Sequence, residues 1–240
     1  MVGPAPSVVA AGLRGGLVVA PSAPVLVALS SNAALRDALA DADLAITDSG
    51  LMVLLWRFLQ GERLIRVSGL AYLRLLLSDP AFTLPHGVFW IMPNAPAREL
   101  LLLWLRRAGI PGTEDDCYVA PLYAAGRLAD PDLLVAVQRR RPAHVVIGLG
   151  GGVQERLGHF LKHALDYRPG IHCIGGAIGF LTGDQVRIPR WADRLYLGWL
   201  FRSLSHPGKF VPRYWRARRL VGLLWRYREK LPPLAESGCG

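Results

Sequence analysis

The residues best suited to chemistry stand at the ends of short apolar runs. Asp48 follows Leu44–Thr47, in Asp48-Ser49-Gly50. A carboxylate placed there can act as a general base on an attacking hydroxyl. The simpler alternative is an Asx-type turn or the N-cap of the next helix. Arg66, in Arg66-Val67-Ser68-Gly69, precedes another helix and suits a phosphate contact or a surface ion pair. The loop Gly148-Leu149-Gly150-Gly151-Gly152 joins a strand to a helix. Its glycines, Gly148 and Gly150 among them, let backbone N–H groups approach a phosphate at a helix N-terminus, although a tight β–α turn uses glycine as well. It is neither a Walker A loop nor a clean dinucleotide fingerprint. Gln154 and Glu155 open the helix that follows. They can bond a polar ligand such as sugar hydroxyls, while spacing alone favours a first-turn cap.

These residues need a scaffold, and the chain supplies alternating strands and helices. Strands are expected at Leu17–Ala20, Leu44–Thr47, Val88–Met92, His144–Ile147 and Ile171–Ile174. Helices are expected at Ala33–Ala42, Leu51–Leu59, Leu70–Leu77, Ala97–Ala108, Leu133–Arg140 and Val153–Tyr167. Such alternation predicts an α/β fold with a Rossmann-like, mostly parallel sheet and helices on both faces. Ligands then bind beyond the carboxyl ends of the strands, at Ser22, Asp48, Gly148–Glu155 and Gly175–Gly176.

Charge is segregated. Of 28 Lys/Arg and 18 Asp/Glu in the 240 residues, Arg187 to Lys230 holds twelve cations and two acids, a local +10; the rest of the chain is neutral. A fixed anionic partner is implied: a phosphate, a nucleic acid or an anionic membrane surface. Two helices are expected there, from Pro189 to about Ser205 and from Arg213 to Lys230. On the second, Arg216, Arg219, Arg226 and Lys230 share one face and Leu220, Leu224 and Tyr227 form an adjacent apolar stripe. The expected division is an α/β core over 1–186, with 1–16 flexible, and a basic helical appendage over 187–240. No window reaches 18 consecutive apolar residues, so spanning a membrane is not expected and lying on one is. Three dispersed cysteines give no zinc cluster or disulfide framework. They fit a cytoplasmic protein, with Cys173 a core thiol. His159 and His163 are four residues apart but are read as ordinary surface or core histidines. No metal and no cofactor are expected.

Three blocks taken together resemble the WecG/TagA/CpsF family of bacterial glycosyltransferases (glycosyltransferase family 26). They are Asp48-Ser49-Gly50 with Arg66-Val67-Ser68-Gly69; Val146 to Glu155; and Gly175 to Gly183 with Arg187-Ile188-Pro189-Arg190-Trp191, Gly198 to Arg202, Pro207 and Arg213-Tyr214. The resemblance implies an inverting, metal-independent transfer from a UDP-sugar donor to a polyprenyl-diphosphate-linked acceptor, peripheral on the inner face of the bacterial cell membrane. The donor sugar it implies is N-acetylmannosamine-like or a related hexose, for cell-surface polysaccharide. It makes Asp48 the base. Arg66 falls near a phosphate, and Ser22, Gly148, Gly150, Gln154, Glu155 and Gly176 bind substrate. Arg187, Arg202 and Arg213 face the diphosphate. It also admits a homo-oligomer that hides the apolar face of the appendage. The chain departs from the family pattern at Ala20-Pro21-Ser22, Ser49, Met92-Pro93-Asn94, Gly152-Val153 and Gly198, which reads as a divergent branch. The rival from another class is a nucleic-acid binder using the basic, aromatic C-terminal segment. No nucleic-acid motif accompanies that segment, so no nucleic-acid partner is expected.

Overall fold

The computed structural model describes residues 5–183, 208, 212, 215 and 217–234. Six strands form one sheet: β1 (Gly16–Val19), β2 (Leu44–Ala45), β3 (Val88–Met92), β4 (Cys117–Val119), β5 (His144–Ile147) and β6 (Gly170–Cys173). Their order is β2-β1-β6-β5-β3-β4. Every pairing is parallel, with Val18 and Val146 both in register with His172. The four central strands are buried along their whole length. Parallel strands covered on both faces are mostly apolar, which is why their sequences run near-continuously rather than alternating; the exceptions, His144 and His172, pair with each other.

One face carries Val18, Val88, Trp90 and Val146. It is covered by α1 (Ala5–Gly12), α5 (Gly69–Leu76), α6 (Ala95–Ala108) and α9 (Ala177–Thr182), through Val8, Tyr72, Leu73, Leu101 and Ile178. The other face carries Leu17, Val19, Ile91, Ile147 and Cys173. There α7 (Pro131–Arg140) and α8 (Val153–Ala164) bring Leu133, Val137, Leu157 and Leu161. Gly158 lets α8 lie close, since a Cβ there would stand 2.6 Å from both Cys173 Sγ and Leu17 Cδ1. Helix α3 (Ala33–Ala40) packs beside α8. The doubly wound sheet expected from the alternation is therefore present.

The connections set the site. Strand β1 leads through α2 (Ala23–Ala28) into α3, which packs beside α8, the helix that follows β5 on one face, whereas β6, lying between β1 and β5, leads into α9 on the other. Neighbouring chain exits diverge above β6, which opens a crevice at the carboxyl edge.

Three features depart from the expected elements. Residues 5–12, expected to be flexible, form α1 with Val8 and Val9 buried. Pro24 lies in the first turn of an unexpected helix, α2 (Ala23–Ala28), where its missing N–H costs nothing. The third concerns α10 (Arg219–Tyr227), whose apolar stripe is not free. Leu220 is buried and Leu224 partly so, and with Ala217 they pack on α2 and on Leu51, Met52 and Leu55 of α4 (Gly50–Gln60). The surface left exposed on and beside α10 is Trp215, Val221 and Trp225 among Arg218, Arg219 and Arg226. Arg216 and the segment from Pro189 to Ser205 lie outside the described residues.

Candidate functional site

Helix capping decides what Asp48 is free to do. Ser49 caps α4, its hydroxyl accepting from Met52 N–H at 3.2 Å. Ser68 caps α5 in the same way, accepting from Ala71 N–H at 3.1 Å. Asp48 is thereby released from capping its own helix. Its Oδ1 accepts instead from Gly69 N–H, 21 residues on, at 2.8 Å. The carboxylate rests on the first N–H of α5. Oδ2 takes no hydrogen bond among the described residues.

Residues 65–67 are stitched to the exit of β2. Thr47 Oγ1 donates to the Ile65 carbonyl at 2.5 Å and accepts from Val67 N–H at 3.3 Å. Arg66 Nε donates to the Asp48 carbonyl at 3.0 Å. Gly69 in turn abuts the top of β6. A Cβ there would lie 3.4 Å from the Ile174 carbonyl, 3.6 Å from Ala177 Cβ and 3.8 Å from Asp48 Oδ1. Two expected site residues, Asp48 and Arg66, thus meet beside the β6–α9 turn.

Across that turn stands Gln154. Gly175, at φ +55°, is a backbone position where glycine is needed, and its absent Cβ would meet both amide atoms of Gln154 at 3.4 Å. Gln154 is buried, and its Nε2 donates to Glu155 Oε1 at 3.1 Å. Its Oε1 is a buried acceptor without a partner among the described residues. Such orphans are uncommon and call for a donor from a ligand or water. Glu155 is fully buried and its Oε2 accepts from Gly152 N–H at 2.6 Å, the reach-back of an N-terminal cap. Both readings of Glu155 began from its first-turn position; the geometry it adopts is the cap.

The glycine loop divides in two. Gly148 is packed: its N–H bonds the Ile91 carbonyl at 2.8 Å, and a Cβ would come within 3.0 Å of Ile178 Cδ1. Around Gly150 and Gly152 the space is open. Gly151, Gly152 and Val153 line a pocket of about 300 Å³ with Asn32, Val25 and Arg156. Ser22 and Gly176 are the N-cap positions of α2 and α9, at the ends of β1 and β6. Arg187, Arg202 and Arg213 lie outside the described residues.

Arg156 and Asn32 were not expected at the site. Arg156 is buried; Nε donates to the Gly152 carbonyl at 2.9 Å, and NH1 donates to the carbonyls of Ala124 at 3.0 Å and Gly126 at 2.5 Å. It ties the 124–126 loop to the start of α8. Its signal in the sequence is an arginine in a first helical turn, against the dipole preference. Two Asp-x-Asp triplets, a pattern by which nucleotide-sugar enzymes often hold a divalent metal, are engaged elsewhere. Asp43 Oδ2 accepts from Leu17 N–H at the start of β1, and Asp130 caps α7 while accepting from Tyr118 and Tyr123.

Residues 6–233 match the model of the Glycosyl transferase WecG/TagA/CpsF family. The chain belongs to that family. The match to the WecG/TagA/CpsF family takes in every described residue of the candidate site, from Ser22 through Asp48 and the glycine loop, and α10 as well. A 102-residue stretch is 28% identical to the N-acetylglucosaminyldiphosphoundecaprenol N-acetyl-beta-D-mannosaminyltransferase of Bacillus subtilis (strain 168). That stretch is 42% of this chain and 37% of the relative, so about a third of the relative's length is matched. No helix among the described residues is long and apolar enough to cross a membrane.

Proposed function

We propose that this chain transfers a sugar from a UDP-sugar to a polyprenyl-diphosphate-linked acceptor, with inversion and with Asp48 as base, in the synthesis of a cell-surface polysaccharide. The observation that carries the reading is the Asp48 carboxylate, fixed through Oδ1 at the carboxyl edge of the sheet, with Oδ2 taking no hydrogen bond among the described residues. In this reaction the acceptor hydroxyl oxygen attacks the anomeric carbon from the face opposite UDP. The bond from that carbon to the UDP oxygen breaks, its electron pair leaves on UDP, and the hydroxyl proton passes to Asp48 Oδ2. No metal or cofactor enters the step.

The remaining residues have complementary tasks. Gln154 Oε1 accepts from a donor hydroxyl or N–H across the β6–α9 turn. The open space around Gly150 and the pocket beside Arg156 suit an anionic portion of the donor. Arg66 lies beside Asp48 through its bond to the Asp48 carbonyl, a placement suited to neutralising a diphosphate. Arg187, Arg202 and Arg213 are assigned to the same diphosphate by the family resemblance. The protein then works at the cytoplasmic face of the membrane, where exposed Trp215, Val221 and Trp225 with neighbouring arginines suit an anionic leaflet. The Bacillus subtilis relative, whose name describes transfer onto a diphosphoundecaprenol-linked sugar, supports the acceptor class.

The test is a panel of UDP-sugars assayed against a polyprenyl-diphosphate-linked sugar, scoring UDP release. Release that requires both substrates supports the reading. Release from no donor in the presence of acceptor contradicts it.

A further inference from the structure

Helix α8 carries His159 and His163 four residues apart, so both imidazoles project from one helical face. Opposite them is Asp41, at the C-terminus of α3. His163 Nε2 lies 2.8 Å from Asp41 Oδ2, and His159 Nε2 lies 3.5 Å from the same oxygen. The two rings meet edge to face, with centroids 4.7 Å apart. One donor atom from each of the three residues falls within 4.8 Å of the other two. Ligands on a tetrahedral zinc ion stand roughly 3.3 Å apart, given metal–ligand bonds of about 2.0–2.2 Å. Closing this triad onto an ion therefore asks for small side-chain rotations and no backbone movement. All three side chains are partly open to solvent, at 37%, 30% and 59% for Asp41, His159 and His163, so an ion can enter.

One cation already competes. Lys162 Nζ is 3.2 Å from Asp41 Oδ2 and 3.1 Å from Asp43 Oδ2, and it donates to the Asp41 carbonyl at 2.5 Å. Asp43 and the carbonyl can keep the ammonium when an ion takes the Asp41 carboxylate. Lys162 thus weakens the site without closing it.

We propose that Asp41, His159 and His163 form a site for one divalent transition ion of the zinc class, with its remaining coordination positions open to water. Two imidazoles and one carboxylate suit zinc, cobalt or nickel rather than calcium or magnesium. The site lies away from the proposed chemistry. Asp43, two residues from Asp41, bonds Leu17 at the amino end of β1, while the candidate site occupies the carboxyl edge. The ion would pin the C-terminus of α3 to the last turns of α8. The opposite ends of those helices carry Asn32 and Gly152, which line the pocket. Its role is structural, a clamp on the helix pair, and it stands whether or not the transferase reading does.

The experiment uses the full chain freed of metal. Co²⁺ is titrated at pH 7.5 while its visible absorption is followed, and Zn²⁺ binding is measured by calorimetry. One equivalent is expected to bind and to raise the melting temperature. His163→Ala and His159→Ala should each weaken binding by at least about tenfold. Lys162→Met should strengthen it. His163 is largely exposed, so its variant is expected to fold; circular dichroism checks this, and Asp41→Asn serves as a second variant. Failure of the wild type to bind an equivalent ion, or unchanged affinity in the histidine variants, would overturn the proposal.

Discussion

Arg66 Nε donates to the backbone carbonyl of Asp48 at 3.0 Å, while the Asp48 carboxylate turns away to accept from Gly69 N–H at 2.8 Å. The two charged side chains are thus held side by side through the main chain. A base of this kind keeps one oxygen for a proton, and the main-chain bond sets an arginine beside it. Both come from an arrangement in which serines, not the aspartate, cap α4 and α5.

Gln154 provides the first prediction. Its Oε1 has no partner among the described residues, so removing it forfeits no described bond to that atom. Gln154→Met keeps the volume of the side chain. We expect a melting temperature close to wild type, since the lost Nε2 bond to Glu155 contributes about 1 kcal/mol. Apparent donor KM should rise up to about tenfold, the equivalent of one hydrogen bond. An unchanged KM in steady-state kinetics would remove Gln154 from donor binding.

A second prediction concerns acid stability. Tyr72 Oη, His172, His144 and Asp79 form a chain, buried except at half-buried Asp79, with successive separations of 2.9, 3.1 and 3.3 Å. Burial, and then the nearness of His144, hold the His172 imidazole well below the ordinary histidine range. Burial lowers His144 as well, outweighing the Asp79 carboxylate. The unfolded chain therefore binds protons that the native state refuses. Stability from these histidines is present above about pH 6.5 and is lost as pH falls toward the folded values, by up to about 1.4 kcal/mol per pH unit for each. Urea unfolding at pH 7.5, 6.0 and 5.0 measures this. A flat profile over that range would show that the imidazoles titrate normally in the fold.

The membrane surface gives a third. Deleting everything after Arg213 would strip Ala217 and Leu220 from α2 and α4 and damage the fold. Trp225→Ser combined with Arg226→Gln leaves that packing alone. Each cation near an anionic leaflet adds on the order of 1 kcal/mol. The double variant should lose at least about tenfold in sedimentation with vesicles rich in anionic lipid. Full retention on those vesicles would place the contact elsewhere.

Much of the scaffold was legible because its strands are apolar on both faces. Val88–Met92 and Val145–Ile147 are continuous apolar runs, and the structure returns the expected strands Val88–Met92 and His144–Ile147. Helix α6 was bounded by Gly109 in the left-handed conformation. Other elements were hidden for particular reasons. Strand β4 is three residues at a sheet edge, too short for a period to register. Helix α1 was masked by small residues that resemble a flexible leader. The stripe Leu220 and Leu224 was legible as apolar, but periodicity does not say what an apolar face covers; here it covers α2 and α4 rather than lipid. The pairing of Asp48 with Gly69 spans 21 residues and depends on Ser49 taking the local cap, a choice between two adequate capping residues.

The central claim rests on Asp48 and is tested most directly by comparing Asp48→Asn with the wild type in the UDP-release assay, each with donor and lipid-linked acceptor. Asparagine keeps an oxygen for Gly69 N–H and so preserves the bond to the first residue of α5, and circular dichroism and a thermal melt check the fold. The account predicts a folded variant whose turnover falls by about 10²–10⁴-fold, the usual contribution of a general base. Turnover within a few-fold of wild type in the folded variant would contradict it.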